Sequence, residues 1–217
     1  MGLIYPILIL HAGVFFAAIP NAVLGEFTPR GFIMAVIRPL LFLYIPAIVV
    51  VAFALLRGRV PILRWPLDVL VLRIPVLGLA IYHMSLCRYA RAFGMLYGAG
   101  VPIIETTERA TRAAGNVVVA RQLEGAKASV RAGGMVWEGF SKRIPTEYRQ
   151  LWQIGEETGE LDKIAGKVGD LAGDRADLYF TEFSRWFPRI IYFIIMGFLA
   201  YRVLMLWGQV YGGLTTF

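Results

Sequence analysis

Little in this chain is suited to covalent or metal chemistry. Cysteine occurs once in 217 residues, as Cys87, which excludes an intramolecular disulfide, a cysteine-based zinc site and an iron–sulfur cluster. Histidine occurs only as His11 and His83, with no His-x-x-x-His pair to suggest a metal. No Gly-x-x-x-x-Gly-Lys-[Ser/Thr] loop is present to cradle a nucleotide phosphate. Gly98-Ala99-Gly100 lacks the flanking strand that a dinucleotide site needs and reads as helix punctuation. No nucleophile and base can be paired from their spacing, so neither an enzyme nor a bound cofactor is expected. Charge is scarce too: 17% of residues are charged, against ~25% in an ordinary soluble domain.

Apolar residues fill the space. They make up 58% of the chain, with a mean hydropathy of +0.62, and they cluster. Leu3–Leu24 contains 22 residues without a formal charge, Pro39–Leu56 another 18, and everything after Arg189 is uncharged except Arg202. A helix needs about 20 mainly apolar residues to cross ~30 Å of hydrocarbon. The sequence therefore predicts an all-α integral membrane protein with transmembrane helices at about 3–24, 38–56 and 188–217, the first two joined by a short external loop. Basic residues set the orientation: residues 57–187 hold 18 of the 22, which places that segment in the cytoplasm and the C-terminus outside. Its excess of +4 (18 basic minus 14 acidic) is small for nucleic acid and suits a membrane surface.

Residues 58–187 change pattern from unbroken apolar to amphipathic. Leu79, Tyr82, Leu86, Tyr89, Phe93 and Leu96 recur at helical spacing, until Gly98–Pro102 stops the helix and Pro102 opens the next. Glu105 and Glu108 come early in this second helix and Arg109 and Arg112 late, as the helix dipole favours; Gly115-Asn116 closes it. A third helix carries Val119, Leu123, Ala126 and Val130 as far as Gly133-Gly134. A fourth runs from about Met135 to Lys142, a fifth from Pro145 with Tyr148, Leu151 and Trp152, and a sixth from Leu161 toward Trp186. Together they predict a cytoplasmic six-helix bundle. Cys87, beside the apolar stripe, is read as a small packing residue.

The segment Gly155-Glu156-Glu157-Thr158-Gly159-Glu160-Leu161 joins the fifth and sixth helices. Gly159 can take the left-handed conformation that ends a helix, and Glu160 and Asp162 begin the next where its dipole favours acids. It reads either as a helix corner or as an acidic knuckle that docks a basic partner. Weak divalent-cation ligation by Glu156, Glu157, Glu160 and Asp162 is a further option, without the spacing of an EF-hand.

Gly155-Glu156-x-Thr158-Gly159-x-Leu161 resembles the Gly-Glu-x-[Thr/Ser]-Gly-x-Leu signature of the type II secretion F and type IV pilus inner-membrane platform proteins. Arg88-x-x-Arg91-x-Phe93, followed by Leu96-x-x-Gly98-x-Gly100-Val101-Pro102-Ile103, is similar to that family's opening motif. Pro75-x-x-Gly78, Leu3-Ile4-Tyr5-Pro6 and Pro188 fall in matching order. The resemblance implies a platform in the bacterial inner membrane that couples a cytoplasmic hexameric ATPase to pilin or pseudopilin assembly. Its partners would be that ATPase, the pilin subunits, other inner-membrane assembly proteins and further copies of itself, but no nucleic acid. The residues it singles out are Gly155, Glu156, Thr158, Gly159, Leu161, Arg91, Gly100 and Pro102. Such proteins carry two homologous bundles, of which this sequence shows one. A rival reading is a small transporter or channel subunit built on the intramembrane groups Arg202 and His11.

Overall fold

The structure is a computed structural model that describes residues 8, 11–15, 28–56 and 61–212. Among these, every regular element is helical. They are α1 (Pro29–Leu56), α2 (Pro61–Arg73), α3 (Leu77–Gly98), α4 (Ile103–Ala113), α5 (Val117–Leu123), α6 (Gly125–Arg131), α7 (Thr146–Thr158) and α8 (Leu161–Gly212), with a 3-10 turn at Trp137–Gly139. They fall into two units, residues 1–55 with 184–217, and residues 56–183.

In the first unit α1 starts at Pro29, where a missing N–H costs nothing. It therefore begins well before the run expected at 38–56. His11 hydrogen-bonds Tyr44 at 2.9 Å, and Phe15 meets Phe32 edge-on with ring centroids 5.7 Å apart. Most of the span expected at 3–24 lies outside the described residues. Among the described residues one helix is long and apolar enough to cross a membrane: the stretch Leu161–Met205 of α8, whose apolar window is 0% buried. The expected break between a bundle helix and a last span does not occur. Pro188 lies inside α8.

The second unit is organised on α3, which buries two faces rather than one. Leu86, Tyr89 and Phe93 from the expected stripe are buried, whereas Leu79 is 48% exposed. Tyr89, Phe93, Phe140 and Trp152 form an aromatic nest, with Phe93 and Trp152 edge-to-face at 4.7 Å. The other face of α3 is made of small residues. A side chain at Gly94 would come within 3.1 Å of the Asp162 carbonyl oxygen, and one at Gly173 within 3.4 Å of the Cys87 sulfur. Helices meet this closely only where Cβ atoms are missing. Cys87 is a packing residue here, buried against α8.

Three details depart from the six helices expected. The segment 61–73, which shows no periodic apolar stripe, is the helix α2, with Pro66 inside it. The single helix expected to carry Val119, Leu123, Ala126 and Val130 is divided into α5 and α6 at Glu124. There Gly125 lies against Gly139: a Cβ on Gly125 would sit 2.2 Å from the Gly139 carbonyl oxygen. The helix expected over 135–142 is only the Trp137–Gly139 turn, and Phe140 beyond it is extended. Asn116, expected to close α4, instead opens α5. Its side chain accepts hydrogen bonds from the amides of Val118 (2.9 Å) and Val119 (3.3 Å), while Asp68 of α2 accepts from Val117 at 2.7 Å. Together they satisfy the first three N–H groups of α5, which a helix leaves without partners.

His83 is 5% exposed on α3. Its Nδ1 hydrogen-bonds the Tyr148 hydroxyl at 3.0 Å, and its ring stacks on Tyr179 at 5.5 Å. Burial holds its pKa below the ordinary imidazole value; the nearby Arg175 guanidinium adds to this and Glu147 partly opposes it. In the unfolded chain His83 takes a proton near pH 6.5, which the folded chain resists. Its contribution to stability is thus whole above pH 6.5 and is lost as the pH falls from there through the lower folded value. Melts of the full chain in detergent between about pH 7.5 and 5.5 are expected to show a wild-type decline that His83→Gln removes in part. Parallel declines in the two proteins would refute this.

Candidate partner-docking corner

Two chain reversals meet at one end of the second unit. At the first, α3 ends in a left-handed glycine, Gly100, with φ of 81°. The Gly100 amide donates to the Tyr97 carbonyl at 2.9 Å and the Val101 amide to Leu96 at 3.0 Å, the paired bonds that close a helix C-terminus. Pro102 then precedes α4 with φ of −53°. At the second reversal α7 ends at Gly159, with φ of 73°, and α8 follows from Leu161. The two ends touch, because a Cβ on Gly98 would lie 3.8 Å from that of Asp162.

Each residue of the corner has a distinct task. Gly155 is buried where α7 crosses α8, and a Cβ there would fall 2.7 Å from Ile164 Cβ. Leu161, 3% exposed, anchors the start of α8 in the core. Thr158 donates its hydroxyl to the Ile154 carbonyl at 2.8 Å and stays on the surface. Glu156 is the surprise. It is half-buried, and its carboxylate accepts hydrogen bonds from the amides of Val136 (2.7 Å) and Trp137 (3.4 Å). It therefore holds the 3-10 turn from 20 residues away. Burial pushes its carboxyl above the usual range, opposed by those two amides. The buried Tyr89 phenol is also raised, first by burial and then by Glu156, so it stays protonated.

The four carboxylates do not converge. Glu156 faces the turn, Glu157 accepts from Gln153 at 2.8 Å, and Glu160 pairs with Lys163 at 2.7 Å. Among the described residues no group of His, Cys, Asp and Glu could hold a metal ion. Glu157 and Glu160 are the acids of the signature segment that face solvent.

Arg91 lies away from this end, on the small-residue seam. Its guanidinium bonds Asp170 of α8 at 3.1 Å, and its stem crosses Gly169, where a Cβ would sit 2.7 Å from Arg91 Cγ. The pair is exposed and stabilises little, but the stem covers a glycine that leaves room for it. Arg202 is on α8, and its side chain lies outside the described residues. Sequence reasoning missed the loop that Glu156 holds, and also the cluster of His83, Tyr148 and Tyr179. Only the glycines at 125, 133, 134 and 139 hinted at tight packing there.

Much of this sequence is similar to known proteins. Residues 89–206, more than half of the chain, match the family described as type II secretion system (T2SS), protein F. The chain is 31% identical over 129 residues to the type IV pilus assembly protein PilC of Pseudomonas aeruginosa, covering 58% of this chain and 34% of that protein. It is 33% identical over 110 residues to PilC of Thermus thermophilus, covering 49% and 27%. With the type II secretion system protein F of Xanthomonas campestris pv. campestris it shares 30% over 109 residues, again 49% and 27%. It thus spans about a third or less of the length of these relatives. No solved structure matches. The match runs from the core of α3 through both chain reversals and into the apolar part of α8, and on that extent the chain belongs to the type II secretion system protein F family.

Proposed function

We propose that this chain is an inner-membrane platform of a type II secretion or type IV pilus machine. In this reading the segments 3–24, 38–56 and 188–217 cross the membrane. The segment 58–187 is a cytoplasmic helical bundle, and the C-terminus is periplasmic. The bundle receives movement from a hexameric assembly ATPase and passes it to pilin or pseudopilin subunits. The observation that carries the reading is the family match over residues 89–206, which takes in the bundle from the middle of α3 onward and the apolar stretch of one helix. Glu157 and Glu160, exposed at the end where the two reversals meet, are the acids we assign to a basic partner surface.

The test has two arms. In one, the tagged full chain is cross-linked in the cells that make it and its partners are identified. Recovery of a hexameric assembly ATPase and pilin-like subunits is expected, and a Glu157→Lys, Glu160→Lys double variant should recover several-fold less ATPase. Finding neither partner would refute the reading. In the other, single cysteines at Lys142, Thr28 and Thr216 in a Cys87→Ala background are exposed to an impermeant reagent on intact cells. Positions 28 and 216 should label and 142 should not; the reverse pattern would overturn the orientation.

A further inference from the structure

A half-open cleft of about 420 Å³ enters the second unit between α2, α5 and the 141–143 loop. One wall is apolar, made by Trp65, Val69 and Val118, and the other is made by Arg121, Gln122, Ser141 and Arg143. The hydrogen-bond accounting of the polar wall is one-sided. Tyr82 shares its single O–H between Gln122 Oε1 at 3.1 Å and the Arg143 carbonyl at 3.3 Å. The Gln122 carbonyl oxygen is thus engaged by a donor from inside the unit, and its NH₂ donor group remains. Ser141 Oγ accepts from the Arg143 amide at 3.3 Å, which leaves its O–H to donate. Burial pushes the Tyr82 phenol up to about 12, so it remains a donor at neutral pH.

The two arginines complete this donor set. Arg91, Arg109, Arg112, Lys127, Lys163 and Arg175 each pair with a carboxylate. Among the described residues no carboxylate pairs with Arg121 or Arg143, and both are exposed. Two guanidinium forks, an amide NH₂ and a hydroxyl, with no acid among the lining residues, form a site for a phosphate oxyanion. The opposite wall asks for something more than free phosphate. Trp65 is 50% exposed and, with two valines, offers an apolar surface to whatever is joined to that phosphate.

Covalent geometry limits where that group comes from. Only residues 57–60 separate α1 from α2, and five peptide steps reach at most about 18 Å. Arg57, Arg59 and Arg64 fall in or beside this short link. Basic residues directly after an apolar helix favour anionic lipid, and tryptophan favours the level of the headgroups. We propose that the cleft seats the phosphodiester headgroup of an anionic phospholipid. Arg121 and Arg143 hold the phosphate, Gln122 and Ser141 bond its oxygens, and Trp65 lies against the glycerol and first acyl carbons. The proposal rests on the reading of α1 as a membrane helix.

The test titrates the full chain, in a mild non-ionic detergent, with dioctanoyl phosphatidylglycerol, dioctanoyl phosphatidylcholine and glycerol 1-phosphate, counting bound molecules by native mass spectrometry. Saturable binding of phosphatidylglycerol is expected, about tenfold tighter than phosphatidylcholine of the same chain length. An Arg121→Gln, Arg143→Gln double variant should weaken it at least tenfold with an unchanged melt, since each guanidinium supplies a charge-assisted bond. Trp65→Ser should weaken the lipid several-fold without affecting glycerol 1-phosphate. Equal binding of the two lipids, or phosphatidylglycerol binding that ignores the double substitution, overturns the proposal. So does glycerol 1-phosphate binding as tightly as the lipid, which would make the ligand a soluble phosphate. None of these failures touches the ATPase and pilin cross-linking result, and failure of that result leaves the titration to be judged alone.

Discussion

Gly155→Val is expected to destabilise the helical unit by at least about 3 kcal/mol, the upper end of the cost of overpacking a core. A Cβ at this position falls 2.7 Å from Ile164 Cβ and 3.0 Å from both Cγ atoms. The Cβ is bonded directly to the α8 backbone, so no rotamer change can move it clear. The helices α7 and α8 would have to separate, which disturbs Trp152 and Leu161, both buried in the same core. Gly159→Val, four residues on, is the internal comparison. A Cβ at Gly159 meets nothing within 4 Å, so the cost is confined to holding a β-branched residue at φ of 73°, roughly 1–2 kcal/mol. Melting the two full-length variants in detergent beside wild type checks this, with Gly155→Val falling by on the order of 10 °C and Gly159→Val by much less. Equal losses would show that the glycine at 155 is not placed by close helix packing.

The difference between these two glycines shows what a sequence can and cannot disclose. Gly159, Gly100 and Gly133 act on their own backbone, at φ of 73°, 81° and 83°, so each helix end is written in the neighbouring residues and was legible. Prolines 102 and 145 are similarly local, although they stand just before α4 and α7 rather than within their first turns. Gly155, Gly125 and Gly169 act on residues elsewhere in the chain, so the residues beside them do not disclose what they pack against. The same distinction explains the bundle. Large apolar residues at helical spacing revealed the aromatic face of α3, but the face of Ala90, Gly94 and Cys87 against α8 carries no large side chain to count. Division of the chain at Glu124 depends on Gly139 crossing Gly125 backbone to backbone, and α2 was hidden by prolines at 61, 66 and 75. The signature segment was found by its composition, but the task of Glu156 was not, because its partners lie 20 and 19 residues earlier.

That long reach determines what a substitution at Glu156 can report. If the carboxylate simply projected from a helix end, its removal would change stability by no more than about 0.5 kcal/mol. Instead it satisfies the amide of the fully buried Val136 at 2.7 Å and, more weakly, that of Trp137 at 3.4 Å. Glu156→Ala should cost about 3 kcal/mol, since a buried N–H left without a partner loses its full desolvation energy and charged acceptors make the stronger bonds. The turn it holds also places Phe140 against Trp152 and Tyr89, so the loss should spread to the aromatic nest. Charge itself contributes less than the acceptor does, because burial already disfavours the ionised form. Glu156→Gln keeps an acceptor of the same length for Val136 and should cost only about 1 kcal/mol. Glu156→Lys, by contrast, would combine loss of the acceptor with a buried cation and unfold the turn, so it cannot separate docking from folding. Melts of the Ala and Gln variants, with hydrogen exchange at the Val136 amide, decide the matter. Wild-type stability in Glu156→Ala, or protection at Val136 that survives it, would free Glu156 from the turn and return it to the docking surface alongside Glu157 and Glu160.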